Sequence, residues 1–169
     1  MIGGIHHIGI SSPDIDRLVA FYRDVIGFEL VSEAGIPEPN DRVDAMLAMN
    51  GVTGRAATMR AGNTYVELIE FITPKGKPHG PDWSLADHGH THIALIVDDI
   101  DAEYERMRAA GMHFFAAPIH QPGRTSAATY GMDPDGNRIE IMEMRDPSIP
   151  IRYANRGIER LKDVPDDRF

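Results

Sequence analysis

Apolar residues along this chain follow two rhythms in turn, and their order outlines its elements. In a strand starting at Ile5, Ile8 and Ile10 alternate with His7 and Gly9, the period of a half-buried strand. Past Ser11 the spacing lengthens: Ile15, Leu18, Val19, Tyr22, Val25 and Ile26 recur at helical intervals. Ser12-Pro13 predicts an N-cap with proline at the first helical position, and Gly27 a left-handed close. A short helix is expected around residues 41–49. Alternation returns where Val66 and Leu68 flank Glu67, and again at Ile93, Leu95 and Val97. A second helix follows, with Asp99 as its cap, Ile100, Tyr104 and Met107 on one side, and Gly111 at its end. Asp133-Pro134-Asp135-Gly136-Asn137 predicts a tight turn, after which Ile139 and Ile141 alternate around Glu140.

This order of elements runs twice, and so does the sequence. His7-Ile-Gly-Ile leads to Asp14-Ile15-Asp16 at the same distance at which His92-Ile-Ala-Leu leads to Asp99-Ile100-Asp101. Val66-Glu67-Leu68-Ile69-Glu70 is echoed by Ile139-Glu140-Ile141-Met142-Glu143. Ala56-Ala57-Thr58 and Gly62-Asn63 align with Ala127-Ala128-Thr129 and Gly136-Asn137. The first copy is longer, mostly through residues 37–54. The chain divides into a first module at 1–72, a Pro-, Gly- and His-rich linker at 73–90, a second module at 91–145 and a charged tail at 146–169. One or two amphipathic turns are expected in the tail.

Alternation also sorts the polar residues. The apolar neighbours of His7, Glu67, His92 and Glu140 can pack under each module's helix, so these four side chains project to the other side of their sheets. Two imidazoles and two carboxylates, equivalently placed in a duplicated unit, suit a divalent cation: the charges cancel, and nitrogen and oxygen donors favour Mn, Fe, Co, Ni or Zn. His6 neighbours His7, but it aligns with Thr91 and is expected on the helix-facing side. His88 and His90 alternate onto the face of His92, with His90 as the best substitute ligand. Glu70 and Glu143, three residues past the two candidate glutamates, are expected on the opposite face as rim charges.

Composition narrows the partners. The 169 residues suffice for one domain or two small modules sharing a core. With 26 acidic against 17 basic residues the net charge is −9, which argues against nucleic acid as a partner. There is no Cys, which excludes a thiolate ligand or nucleophile. The sequence contains neither an apolar run of membrane-spanning length nor a basic stretch followed by an apolar one, so a cytoplasmic protein without membrane contact is expected.

The segments His-Ile-Gly-Ile at His7, Tyr-Val-Glu-Leu at Glu67, His-Ile-Ala-Leu-Ile-Val-Asp-Asp at His92 and Asp-Pro-Asp-Gly-Asn-Arg-Ile-Glu at Glu140 resemble the vicinal oxygen chelate superfamily, also called the glyoxalase/bleomycin resistance/dioxygenase family. The resemblance implies an α+β fold of two βαβββ modules whose sheets form a barrel-like cup around one divalent ion (Ni, Co, Mn, Fe or Zn). The His, Glu, His, Glu set is most similar to that of glyoxalase I, whereas the family's methylmalonyl-CoA epimerase has Gln where Glu67 stands. The resemblance implies a metal-dependent lyase or isomerase, acting by proton transfer on a small molecule that chelates the ion through adjacent oxygens, with Glu140 or Glu67 as base. One alternative is an Fe(II) extradiol dioxygenase using His7, His92 and Glu140. Tyr130 stands where those enzymes place a tyrosine, and His120 is a candidate for one of their additional histidines. Another alternative is a metal-free protein that binds a drug or metabolite. A homodimer is expected, with the pairing of modules, within or between chains, left open. If the substrate is a glutathione adduct, its carboxylates call for cations, for which Arg23, Arg55, Arg60 and Arg124 are available.

Overall fold

A computed structural model describes residues 4–62, 64–80, 83–122 and 126–144. The tail at 146–169, Asn63 and Arg124 lie outside the described residues. The chain divides into two compact units, Met1–Pro78 and His79–Phe169.

In the first unit β1 (His7–Ser11) leads into α1 (Ile15–Ala20), which continues without a break as a more widely wound helical stretch, Phe21–Ile26. The helix starts two residues later than Ser12-Pro13 predicts. Asp14 is the cap, its carboxylate accepting from the Arg17 amide at 3.0 Å, while the Ser12 hydroxyl accepts from the Asp14 amide. The repeat itself carried this signal, because Asp99 caps the second helix in the same way, accepting from the Ala102 amide. Gly27 closes the first helix at φ +96°, in the left-handed region that glycine adopts without steric penalty. The predicted apolar stripe is the buried one: Ile15, Leu18, Val19, Tyr22, Val25 and Ile26 all lie in the core.

β2 (Glu29–Ile36) follows, then α2 (Asp41–Leu47), β3 (Thr53–Arg60) and β4 (Tyr65–Thr73). Asn40 caps α2, and the Asp44 carboxylate accepts from the amides of Gly51 and Val52, which ties the first module's extra segment to the start of β3. The sheet order is β1-β4-β3-β2, with β1 parallel to β4. Val66 and Leu68 from β4 and Met59 from β3 are fully buried, as are Leu18 and Tyr22 from the helical segment.

The second unit repeats the plan with β5 (His92–Ile96), α3 (Ile100–Ala109), β6 (His113–Phe114), β7 (Ile119–His120), β8 (Ser126–Met132) and β9 (Arg138–Met144). Its order is β5-β9-β8-β6, and β7 also pairs with β8. Two short strands thus stand where the first unit has the single long β2. Ile100 and Met107 of α3 are buried, as are Ile139 and Ile141 of β9. The turn before β9 is held by Asp133, whose carboxylate accepts from the amides of Asp135 and Asn137 and from the Asn137 side chain, with Gly136 at φ +87°.

The register corrects one part of the repeat. Glu67 faces Thr58 on β3, and Glu140 faces Tyr130 on β8. The counterpart of Thr58 is therefore Tyr130, and Ala56-Ala57-Thr58 matches residues 128–130 rather than Ala127-Ala128-Thr129. Glu143 also differs from expectation. Rather than a rim charge, it accepts from the Ile100 amide at 3.0 Å, satisfying an orphan donor in the first turn of α3. Glu70 contacts Arg55, which also binds Asp16 in α1.

Candidate metal site

Parallel pairing places each candidate histidine one diagonal step from its glutamate. On β1 and β4, His7 is level with Tyr65 and Gly9 with Glu67; on β5 and β9, His92 is level with Arg138 and Ala94 with Glu140. A glycine or an alanine beside each glutamate leaves its carboxylate free to reach back along the strand to the histidine. His7 Nε2 lies 3.6 Å from Glu67 Oε2, and His92 Nε2 lies 3.2 Å from Glu140 Oε2. The second pair is the more enclosed, with Glu140 at 14% side-chain exposure against 34% for Glu67.

In both units the residue before the histidine supplies a polar atom to the other ring nitrogen. The Thr91 hydroxyl is 2.8 Å from His92 Nδ1, and His6 Nδ1 is 2.8 Å from His7 Nδ1. His6 thus aligns with Thr91 as expected, but it is exposed and contacts the rings of His7 and Tyr65 rather than turning under the helix. Strand β1 begins only at His7, so alternation does not reach His6.

The second unit adds a phenol. The Tyr130 ring meets His92 edge-on at 5.3 Å. Its hydroxyl is pushed above its ordinary pKa, first by burial and then by its hydrogen bond to Glu140 and the charge there. His120 lies elsewhere: it contacts Asp101 of α3 at 3.1 Å, and it is level with Ala127, on the face of β8 opposite Tyr130. His88 and His90 are exposed and precede β5. Among the described residues no group of three or more His, Asp or Glu forms. The donors are brought together in twos, one pair in each unit.

These pairs fit a metal ion chemically. Donors about 2.1 Å from one ion lie roughly 3.0–3.5 Å apart at right-angled to tetrahedral geometry. The 3.2 Å pair falls in that range, and the half-buried Glu67 of the 3.6 Å pair needs only a small rotation.

Residues 4–141 match the family model of the Glyoxalase/Bleomycin resistance protein/Dioxygenase superfamily. The chain belongs to that superfamily. A relative named 2-epi-5-epi-valiolone epimerase, from an Actinomyces species, is 34% identical over 110 residues, covering 62% of this chain and 57% of its own length. The chain thus matches little more than half of that epimerase. The lactoylglutathione lyase of Haemophilus influenzae is 30% identical over 139 residues, covering 82% of this chain and 91% of its own. A glyoxalase family protein from Bacillus cereus shares the fold with a TM-score of 0.73 at 19% identity, over 85% of this chain and 95% of that one. The α+β fold implied by the resemblance is the one found, and it matches that neighbour's.

The arginines distribute in a way that alternation alone does not reveal. Arg23 is paired with Asp24, Arg55 with Asp16 and Glu70, and Arg60 with Glu29. By register Arg60 and Arg138 each share the face of their own unit's candidate histidine and glutamate, but only Arg60 meets a carboxylate among the described residues. Arg138, level with His92, lies over the rings of Trp83 and Phe115, its guanidinium carbon 5.2 and 4.5 Å from their centroids. Its place two residues before Glu140 was the available signal, since residues two apart on a strand share a face.

Proposed function

We propose that this domain is a metal-dependent lyase or isomerase, in which His7, Glu67, His92 and Glu140 hold one divalent ion and the substrate is a small molecule with two adjacent oxygens. The observation that carries this reading is the histidine–carboxylate contact made twice, at 3.6 and 3.2 Å, in the same strand register. The relatives named as a lyase and an epimerase support the reaction class. A divalent ion bound there supplies Lewis-acid stabilisation of negative charge developing on the substrate's oxygens.

The chain's own residues supply orientation and proton transfer. Thr91, accepting from Nδ1–H of His92, leaves the Nε2 lone pair directed toward Glu140. Tyr130, protonated at neutral pH like any tyrosine and pushed further from ionisation by burial, donates to Glu140 and holds that carboxylate in place. Glu67 has no such phenol beside it and faces Gly9, so it has room to swing toward a substrate carbon. We assign Glu67 as the base that takes the proton next to the substrate carbonyl, with Glu140 as its more fixed counterpart. Exchange of carbon-bound protons into deuterated water, followed by proton NMR on small 2-hydroxycarbonyl compounds and thiol hemithioacetals, tests this. Metal-loaded protein is expected to catalyse exchange, and Glu67→Gln to slow it roughly 10²–10⁴-fold. Full exchange in both Glu67→Gln and Glu140→Gln would reject the mechanism.

A second reading, an Fe(II) ring-cleaving dioxygenase using His7, His92 and Glu140, draws on Tyr130 at the His92–Glu140 pair. It gives Glu67 no part, and His120 faces the helix instead. Oxygen uptake by anaerobically reconstituted Fe(II) protein with a catechol panel decides it; no uptake eliminates the dioxygenase.

A further inference from the structure

Arg138 is built into the second unit as a prepared but unneutralised cation. Its guanidinium lies over both the Trp83 and Phe115 rings, and its Nη1 lies 3.7 Å from the Met132 sulfur. His79 stacks on Trp83 at 4.4 Å, which braces the indole. Aromatic faces and a thioether fix a guanidinium without neutralising it. Among the described residues no carboxylate lies within ion-pair distance of Arg138 or of Arg42 on α2, whereas Arg23, Arg55, Arg60, Arg106 and Arg108 each meet one; of the two, Arg138 alone lies on a strand that carries a candidate ligand. The corresponding positions of the first unit behave differently. Tyr65 stands level with His7 where Arg138 stands level with His92, and the neighbouring Arg60 is neutralised by Glu29.

Register puts this cation beside the reacting groups. Arg138 is level with His92 and Met132, and Glu140 lies two residues further along β9 on the same face. Two strand residues advance about 6.6–6.8 Å. Arg138 is partly accessible and Phe115 is 48% exposed, so the stack opens to solvent. In a chain with a net charge of −9, an arginine held by aromatic faces and without a carboxylate keeps its charge available to an external anion.

We propose that Arg138 anchors an oxyanion of the substrate, a carboxylate or a phosphate, held roughly 7 Å along the strand from the oxygens that approach Glu140. This rests on the reading of His92 and Glu140 as the reactive half-site, and it narrows the substrate to a negatively charged small molecule.

The single tryptophan of the chain, Trp83, is a direct reporter because it touches the guanidinium. Its fluorescence is followed in metal-free, chelator-treated protein at constant ionic strength. The titrants are glycolate, inorganic phosphate and the neutral analogue glycolamide. A saturable change with glycolate or phosphate, absent with glycolamide, is expected, and the tighter anion identifies carboxylate or phosphate as the source. Arg138→Met is expected to weaken binding at least about tenfold, and Arg138→Lys to weaken it less because the charge remains. Glu140→Gln should retain anion binding. No saturable change with either anion, an equal response to glycolamide, or unaltered binding in a folded Arg138→Met protein would overturn the proposal. Because the readout needs no metal or turnover, anion binding in a protein whose Glu67→Gln and Glu140→Gln variants exchange protons normally would sink only the proton-transfer reading. Absent binding alongside intact Glu67-dependent exchange would sink only the anchor.

Discussion

Thr91 shows how much of a site depends on residues that need not touch an ion. Its hydroxyl at 2.8 Å from His92 Nδ1 holds the ring, and when it accepts from Nδ1–H it leaves Nε2 as the free nitrogen. Thr91→Val keeps the shape but removes the acceptor, so divalent-metal affinity measured by competition with a chromogenic chelator is expected to fall about 10–100-fold. Thr91→Ser should retain most of it, and equal affinity in all three proteins would show that the contact does not orient the ligand. The four candidate ligands were legible because strand alternation and duplication act on neighbouring residues. Arg138 was not: its ring partners Trp83 and Phe115 lie far from it in sequence, and alternation says nothing about which arginine lacks a carboxylate. His6 escaped the alternation argument because the strand starts one residue after it.

At the scale of elements, the strands that carry the site are set by their turns and close contacts. Asp133 holds the turn before β9, and its carboxyl is pushed above its ordinary 3.8 by burial, against the pull of its hydrogen bonds. A raised carboxyl stabilises the fold most below the unfolded value and loses that contribution as pH rises through the folded one. Urea midpoints of the wild type relative to Asp133→Asn should therefore decline as pH rises above the ordinary carboxylate range. A flat or rising difference would contradict the shift. Gly131 permits β6 to lie against β8: a Cβ there would meet the His113 carbonyl oxygen at 2.5 Å. Gly131→Ala should lower stability by about 1–3 kcal/mol in urea unfolding, the scale of overpacking; an unchanged midpoint would show that β6 yields freely. Helix positions were legible from apolar spacing. The first cap was misplaced to Ser12 because Ser-Pro is itself a strong signal, and the repeated Asp that outweighs it is seen only by comparing the modules. The break between β6 and β7 leaves no pattern in sequence, since strands of two residues are too short to show a period.

For the whole molecule, each compact unit brings one imidazole and one carboxylate side by side. Neither pair alone balances and encloses a divalent ion as four donors do, so the proposed site requires both, whether they come from one chain or two. No helix among the described residues is long and apolar enough to cross a membrane. Superfamily membership was legible from four short motifs, but activity within it was not, because members share the scaffold and differ in the groups around the ion. The direct test is metal content by mass spectrometry after equilibration with each of Ni, Co, Mn, Fe and Zn and passage over a desalting column. The account predicts about one ion per chain for the best-fitting metal, since each chain carries one set of four donors. It also predicts that His7→Ala and Glu140→Gln, one change in each unit, each weaken binding at least about tenfold. Occupancy below about a tenth of an ion per chain, or full affinity retained with either pair broken, would contradict it.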